Sequence, residues 1–227
     1  MLKAIENSNN LRTEVYKRIK ESIIKHYFLP GMKLDEKQIS EKLEVSRTPV
    51  REAFNRLVQE GLVNIETGRG VFVSRVTAQD LIEVLYMREV LEGLAARLFT
   101  ERAEEEDIRK LEKILEPYTE DNVESLLEEY NLANVEFHNF IIEGTKNSRL
   151  ISTVYNLYDH LTLAKVGQFI KVTGRSVKSL KEHKKIILAI TKRDSKKAED
   201  LIKEHICSLR NDILDNLDKI KSTSLYF

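Results

Sequence analysis

Apolar residues near the start of the chain recur at steps of three and four. Between Leu11 and Tyr27, the residues Val15, Ile19, Ile23 and Ile24 share one side, which predicts a helix. Phe28-Leu29-Pro30-Gly31 breaks that pattern, and a short second helix is predicted from Asp35 to Leu43. A third follows, with Val50, Phe54, Leu57 and Val58 as its buried stripe. Ser46 or Thr48 can cap it, and Pro49 fits its first turn, where backbone N–H groups lack helical partners anyway. Arg47, Arg51 and Asn55 fall four apart and share a different, outward face. The pattern then turns strand-like over Gly61-Leu62-Val63-Asn64-Ile65 and again over Val71-Phe72-Val73. Thr67-Gly68-Arg69-Gly70 joins these runs as a tight turn, making a hairpin that carries Arg69. Helical periodicity returns near Ser74-Arg75-Val76, with Thr77 placed to cap the next helix. Six helices are predicted, over 77–101, 104–117, 122–144, 147–172, 176–193 and 195–220, with Pro117, Gly144 and Gly174 marking ends.

The order helix, helix, helix, hairpin is that of a winged helix-turn-helix. Its third helix would offer Arg and Asn to base edges and phosphates in a major groove. With no strand pattern after residue 76, the remainder is expected to be an antiparallel all-α bundle. The fold class is therefore mostly α, with domains at 1–75 and 76–227. Net charge is zero over the 227 residues, whereas attraction to DNA calls for a basic surface. The charge is unevenly divided, however. Residues 1–75 carry fourteen Lys/Arg against ten Asp/Glu, so the head is at +4 and the rest at −4. A basic head on an acidic body confines attraction for phosphates to one end. The single cysteine, Cys207, excludes an internal disulfide, fits a reducing cytoplasm and reads as a small buried residue. No apolar run approaches the ~18 residues of a membrane span, and no signal-peptide core is present.

Three stretches carry a resemblance. They are Leu29-Pro30-Gly31-Met32-Lys33-Leu34, then Val45-Ser46-Arg47-Thr48-Pro49-Val50-Arg51-Glu52-Ala53, then Gly61-Leu62-Val63 with Gly68-Arg69-Gly70-Val71-Phe72-Val73. Together they resemble the GntR family of bacterial transcriptional regulators over about the first third of the chain. The resemblance implies DNA contacts from Lys37, Ser46, Arg47, Thr48 and Arg51, and from Arg69 and Gly70 in the wing. Lys37 stands where the family more often has Arg. A lysine keeps a phosphate contact but loses the bidentate fork, so it is expected to position the protein rather than read bases.

Four histidines lie in the predicted bundle, and three fall on apolar faces. His183 aligns with Leu180, Ile187 and Ile190, His205 with Leu201, Ile202 and Leu209, and His138 with Phe137, Ile141 and Ile142. His183 and His205 are each eleven residues from Asp194 in the turn between their helices. In an antiparallel hairpin both stand ~16 Å from that turn and can face one another. Asn134 lies one helical turn before His138. Three imidazoles and an amide oxygen suit a divalent cation such as Zn²⁺, Ni²⁺ or Mn²⁺. His160 is mismatched with His138 by ~9 Å in height and is left out, and His26 in the head is given no role. The glutamates beside the last two histidines, Glu182 and Glu204, are expected to point ~100° away.

An all-helical domain after such a head is similar to the FadR subfamily with its FCD-type effector domain. That resemblance implies a metal held by an Asp four residues before a His and by two further His on the last two helices. Here Asn134 replaces the Asp, leaving the site one negative charge poorer. It also implies a small carboxylate effector at the metal, with Arg88 as a partner. An Arg88–Glu92 pair at i, i+4 reads the same residues equally well. Tyr155 and Tyr158 are either pocket-lining or plain core aromatics. The expected function is a cytoplasmic, homodimeric regulator, a repressor that binds a palindromic DNA operator and is controlled by a carboxylate metabolite. Alternatives are a regulator with the metal itself as effector and a metal-dependent hydrolase. Against the hydrolase, the chain has no His-Glu-x-x-His, no nucleophile motif and no Gly-rich phosphate loop, so no catalytic residue is assigned.

Overall fold

A computed structural model describes residues 8–164 and 174–216. The chain forms two compact units, one built on the chain up to Thr77 with Thr162–Ala164, the other beginning at Ala78. The predicted class holds: helices dominate, with one small sheet in the first unit.

In the first unit, α1 (Ser8–Ile24) buries Val15, Tyr16, Ile19 and Ile23. It packs on α3 (Arg47–Gln59), whose core face is Pro49, Val50, Ala53, Phe54 and Leu57. Val58 is half-buried rather than buried. Between them α2 (Glu36–Lys42) is capped by Asp35, whose carboxylate accepts from the Gln38 N–H at 2.9 Å. Ser46 occupies the cap position of α3 with extended backbone, but its hydroxyl makes no capping bond. That leaves the hydroxyl available at the surface. The hairpin strands are β2 (Val63–Glu66) and β3 (Gly70–Val73), paired antiparallel with Val63 opposite Val73 and Glu66 opposite Gly70. A further strand, β1 (Lys33–Leu34), pairs with the other side of β3, giving the order β1-β3-β2. Two residues are too short to show a period of two, so this strand leaves no trace in the hydrophobic pattern.

The second unit contains α4 (Ala78–Arg102), α5 (Glu105–Leu115), α6 (Leu127–Gly144), α7 (Ser148–Leu163) as far as Leu161, α8 (Ser176–Thr191) and α9 (Ser195–Asp215). These are the six helices expected, apart from 165–172 and 217–220, which lie outside the described residues. One boundary is corrected. α6 begins at Leu127 instead of 122, because Thr119 and Asn122 bond each other's backbone N–H groups and hold a turn before the helix. α9 packs along α4 and α8, and α6 along α5 and α4. The approach of α6 to α4 depends on Gly144. A Cβ there would lie 2.4 Å from the Phe99 ring, in a core with no slack. Gly144→Ala is expected to destabilise the protein by about 1–3 kcal/mol, the range for overpacking, read as a lower Tm in thermal unfolding.

Candidate functional site

Two sets of side chains bear on function. The first is the polar surface of α2, α3 and the wing. Arg47, Arg51 and Asn55 are all exposed on α3, as are Ser46 and Thr48 at its start and Lys37 on α2. Lys37 lies 3.9 Å from Glu41, a loose surface pair. Arg51 makes a closer pair with Glu36, whose carboxylate reaches it across the turn between α2 and α3. In the wing, Arg69 is exposed, pairs with Glu66 and lies over the Phe72 ring at 5.6 Å. Gly70 has φ +116°, a conformation that L side chains rarely adopt, which fixes glycine in the turn. The folded surface thus presents every predicted basic DNA contact to solvent.

The second set is buried in the helical unit. His138 on α6, His183 on α8 and His205 on α9 converge, and each is at most 4% exposed. The Nε2 atom of His183 lies 3.2 Å from that of His138 and 3.2 Å from that of His205. Nitrogens sharing a tetrahedral Zn²⁺ at ~2.0–2.1 Å stand about 3.4 Å apart, so the donor set fits a small divalent ion. His160 is not among them. Asn134 lies one turn before His138 and is half-buried.

The outward nitrogens make the fit stronger. His138 Nδ1 lies 2.8 Å from Glu92, His205 Nδ1 lies 2.7 Å from Glu182, and His183 Nδ1 lies 3.2 Å from the Tyr130 hydroxyl. A carboxylate at Nδ1 keeps the proton there and turns the Nε2 lone pair inward, as metal-ligating histidines require. Burial, together with neighbouring imidazoles and the Arg175 guanidinium, pushes His183 and His205 well below the usual histidine range, so both are neutral. Burial pushes Tyr130 up to about 12, so its partner to His183 is a neutral phenol.

Both carboxylates are compensated by buried arginines. Glu92 pairs with Arg88, while Arg175 reaches Glu182 at 3.1 Å, the His205 carbonyl at 3.2 Å and Asp212 at 2.9 Å. Burial alone would raise the Glu92 pKa. The Arg88 guanidinium and the contact with His138 outweigh it and hold the group at about 2. Two relays of the same kind, Arg88–Glu92–His138 and Arg175–Glu182–His205, therefore buttress two of the three imidazoles. The Arg88–Glu92 pair is present, and through Glu92 Arg88 also belongs to the surroundings of the cluster. Tyr158 is half-buried, with the Arg88 guanidinium over its ring at 4.8 Å from the ring centre, whereas Tyr155 bonds Glu143.

Two expectations are corrected. Glu182 does not point away from the site. It reaches across to His205 on the neighbouring helix, a contact that single-helix geometry cannot show. Cys207 is half-buried, with Arg210 Nη2 3.2 Å from its sulfur. Glu92, Tyr130, Glu182 and Arg175 went unassigned in the sequence. Only Glu92 left a signal there, through its i, i+4 spacing from Arg88. Tyr130→Phe keeps the ring and removes the contact to His183. It is expected to lower metal affinity roughly tenfold, the lower end for loss of an outer partner, as read by competition with a chromophoric chelator.

Comparison with known proteins gives matches at both ends of the chain. Residues 11–73 match the family model described as bacterial regulatory proteins, gntR family, and residues 83–207 match the FCD domain. The HTH-type transcriptional regulator YdhC of Bacillus subtilis (strain 168) is 30% identical over 197 residues, 85% of this chain and 86% of that protein. The HTH-type transcriptional repressor RspR of Escherichia coli (strain K12) is 25% identical, covering 85% of this chain and 84% of its own. Among solved structures, the Zn²⁺-bound FCD domain of TM0439 superposes with a TM-score of 0.51 at 19% identity, over 63% of this chain and 96% of that one. Among the described residues no helix is long and apolar enough to cross a membrane.

Proposed function

The chain belongs to the gntR family of bacterial regulatory proteins and carries an FCD domain, and we propose that it is a FadR-type repressor switched by a small carboxylate bound at or near a metal in its helical unit. Its family is one of DNA-binding transcriptional regulators, not enzymes. The observation that carries the proposal is the convergence of three buried imidazoles with every outward nitrogen held by a partner. A bundle gains nothing from burying such a set unless something satisfies the inward nitrogens. His138, His183 and His205 would hold Zn²⁺, Ni²⁺ or Mn²⁺, with Asn134 as a neutral fourth donor. The Zn²⁺-bound FCD domain supports zinc first. When bound, the cation supplies positive charge that no ligand neutralises, and this favours an anionic guest. Arg88 would take part by leaving Glu92 for the guest's carboxylate.

In the DNA-binding unit, Arg47 and Arg51 read bases, while Lys37, Ser46, Thr48, Arg69 and Gly70 position the backbone. Two such heads in a homodimer match a palindromic operator. The effector acts by binding one dimer geometry better than the other, which shifts the population away from the one that fits both half-sites. The named repressor among the relatives supports the sign of control. The neutral Asn134 favours a second reading, in which a loosely held metal is itself the signal. The site of action in either case is the cytoplasm, with the operator DNA.

The test is retention of fragmented genomic DNA from the protein's own organism at about 0.15 M salt, where non-specific binding is suppressed. A short palindrome recovered upstream of a few genes supports the proposal. Uniform retention that vanishes with added salt overturns it. His138→Ala should then lower metal content and effector response while leaving basal operator binding intact. Response to metal alone, with no organic acid, would select the second reading.

A further inference from the structure

Glu36 is the first residue of α2, and its carboxylate lies against Arg51 on α3. Nε of Arg51 donates to one carboxylate oxygen at 3.2 Å, and Nη2 donates to the other at 3.0 Å. A guanidinium has two planar forks, one at its side from Nε and one Nη, the other at its tip from both Nη atoms. Glu36 fills the side fork of Arg51. The tip fork, with both hydrogens of Nη1 and the second hydrogen of Nη2, is left. Arg51 is 68% exposed while Glu36 is only 25% exposed, so the acid sits behind the base and not in front of it. Arg47, one turn earlier on the same face, has no such carboxylate among the described residues.

Two physical consequences follow. The pair has no net charge, so Arg51 adds little to the general attraction for phosphates. Its guanidinium plane is nonetheless fixed, which reduces the side-chain entropy lost when it makes a bidentate contact. A fixed tip fork on a cancelled charge suits a guanine edge, whose O6 and N7 accept from one guanidinium. It suits a phosphate poorly. Nor does the pair exist for stability, since exposed ion pairs contribute little.

We infer that Glu36 is a positioning residue for base readout, holding Arg51 so that its tip fork addresses one guanine in each half-site. The inference rests on the DNA-contacting role proposed for Arg51. It separates two quantities that a merely structural role would move together. Glu36→Gln leaves the Arg51 charge uncancelled, so binding to any DNA rises. It also frees the guanidinium, so discrimination falls.

The experiment uses the full-length protein, its Glu36→Gln and Arg51→Ala variants, and a library of random-sequence duplexes. Each protein is put through selection, then titrated by fluorescence anisotropy against the selected duplex, the same duplex with single guanines replaced, and a scrambled duplex. Arg51→Ala is expected to lose preference for guanine at one position per half-site. Glu36→Gln should weaken the preference at that same position by roughly tenfold, within the range carried by one bidentate contact. It should also bind the scrambled duplex more tightly and with steeper salt dependence. An unchanged guanine preference in Glu36→Gln overturns the inference. So does a changed preference at a different position, which would make Glu36 a base reader in its own right. If Arg51→Ala leaves every base preference intact, the role of Arg51 itself fails, a result distinct from failure at Glu36.

Discussion

Replacing Arg47 and Arg51 together with Ala is expected to reduce operator binding to the level of unrelated DNA, a loss of roughly 10³-fold or more. One good bidentate base contact contributes about 1–3 kcal/mol of discrimination, and a two-fold dimer removes each contact twice. The estimate is bounded by the gap of about 4–10 kcal/mol between specific and non-specific binding for such proteins. The fold should not change, because both side chains are exposed and the core face of α3 lies opposite, at Val50, Ala53, Phe54 and Leu57. Anisotropy titrations at about 0.15 M salt read the affinity, and thermal unfolding reads the fold. Unchanged operator affinity in a folded double variant would overturn the assignment of α3 as the recognition helix.

The second large effect is expected at His183, whose Nε2 faces both other imidazoles. His183→Ala should take the metal content of the protein from one ion per chain to none. A ligand present at a thousandfold excess over its Kd stabilises by about 4 kcal/mol. In a chain of this size that raises Tm by roughly 8–16 °C. Wild-type protein should therefore melt higher with zinc than with a chelator, and the variant should show no difference. Affinity for the ion should also fall on acidification, because protons compete for the same lone pairs, and the fall should set in only below the usual imidazole range, since burial holds His183 and His205 well below it. Basal operator binding is expected to survive. A metal-dependent rise in Tm that persists in His183→Ala would put the ion elsewhere.

Much of the candidate site was readable before any tertiary information. The heights of His183 and His205 above their shared turn follow from the helical rise alone, and in the folded protein the two meet at 3.2 Å. The outward row of Arg47, Arg51 and Asn55 follows from the period of α3 in the same way. What stayed hidden involves partners on different elements. Glu182 belongs to α8 but serves His205 on α9. Tyr130 on α6 serves His183 on α8, and Glu36 on α2 serves Arg51 on α3. The 100° rule for successive helical residues describes directions about one axis. It carries no information about a side chain long enough to cross to the next helix.

The sequence by itself determined the order and type of the elements other than β1, the buried faces of α1 and α3, the charge split between head and body, and the three inward histidines. All of these are properties of single segments, set by side-chain periodicity and backbone geometry. Only the tertiary structure decided the third strand, the late start of α6, and the two Arg–Glu–His relays. These depend on how each helix is rotated and how closely it approaches its neighbours, as Gly144 against Phe99 illustrates. Close packing fixes those rotations collectively, from residues scattered along the chain, so no local window of sequence contains them.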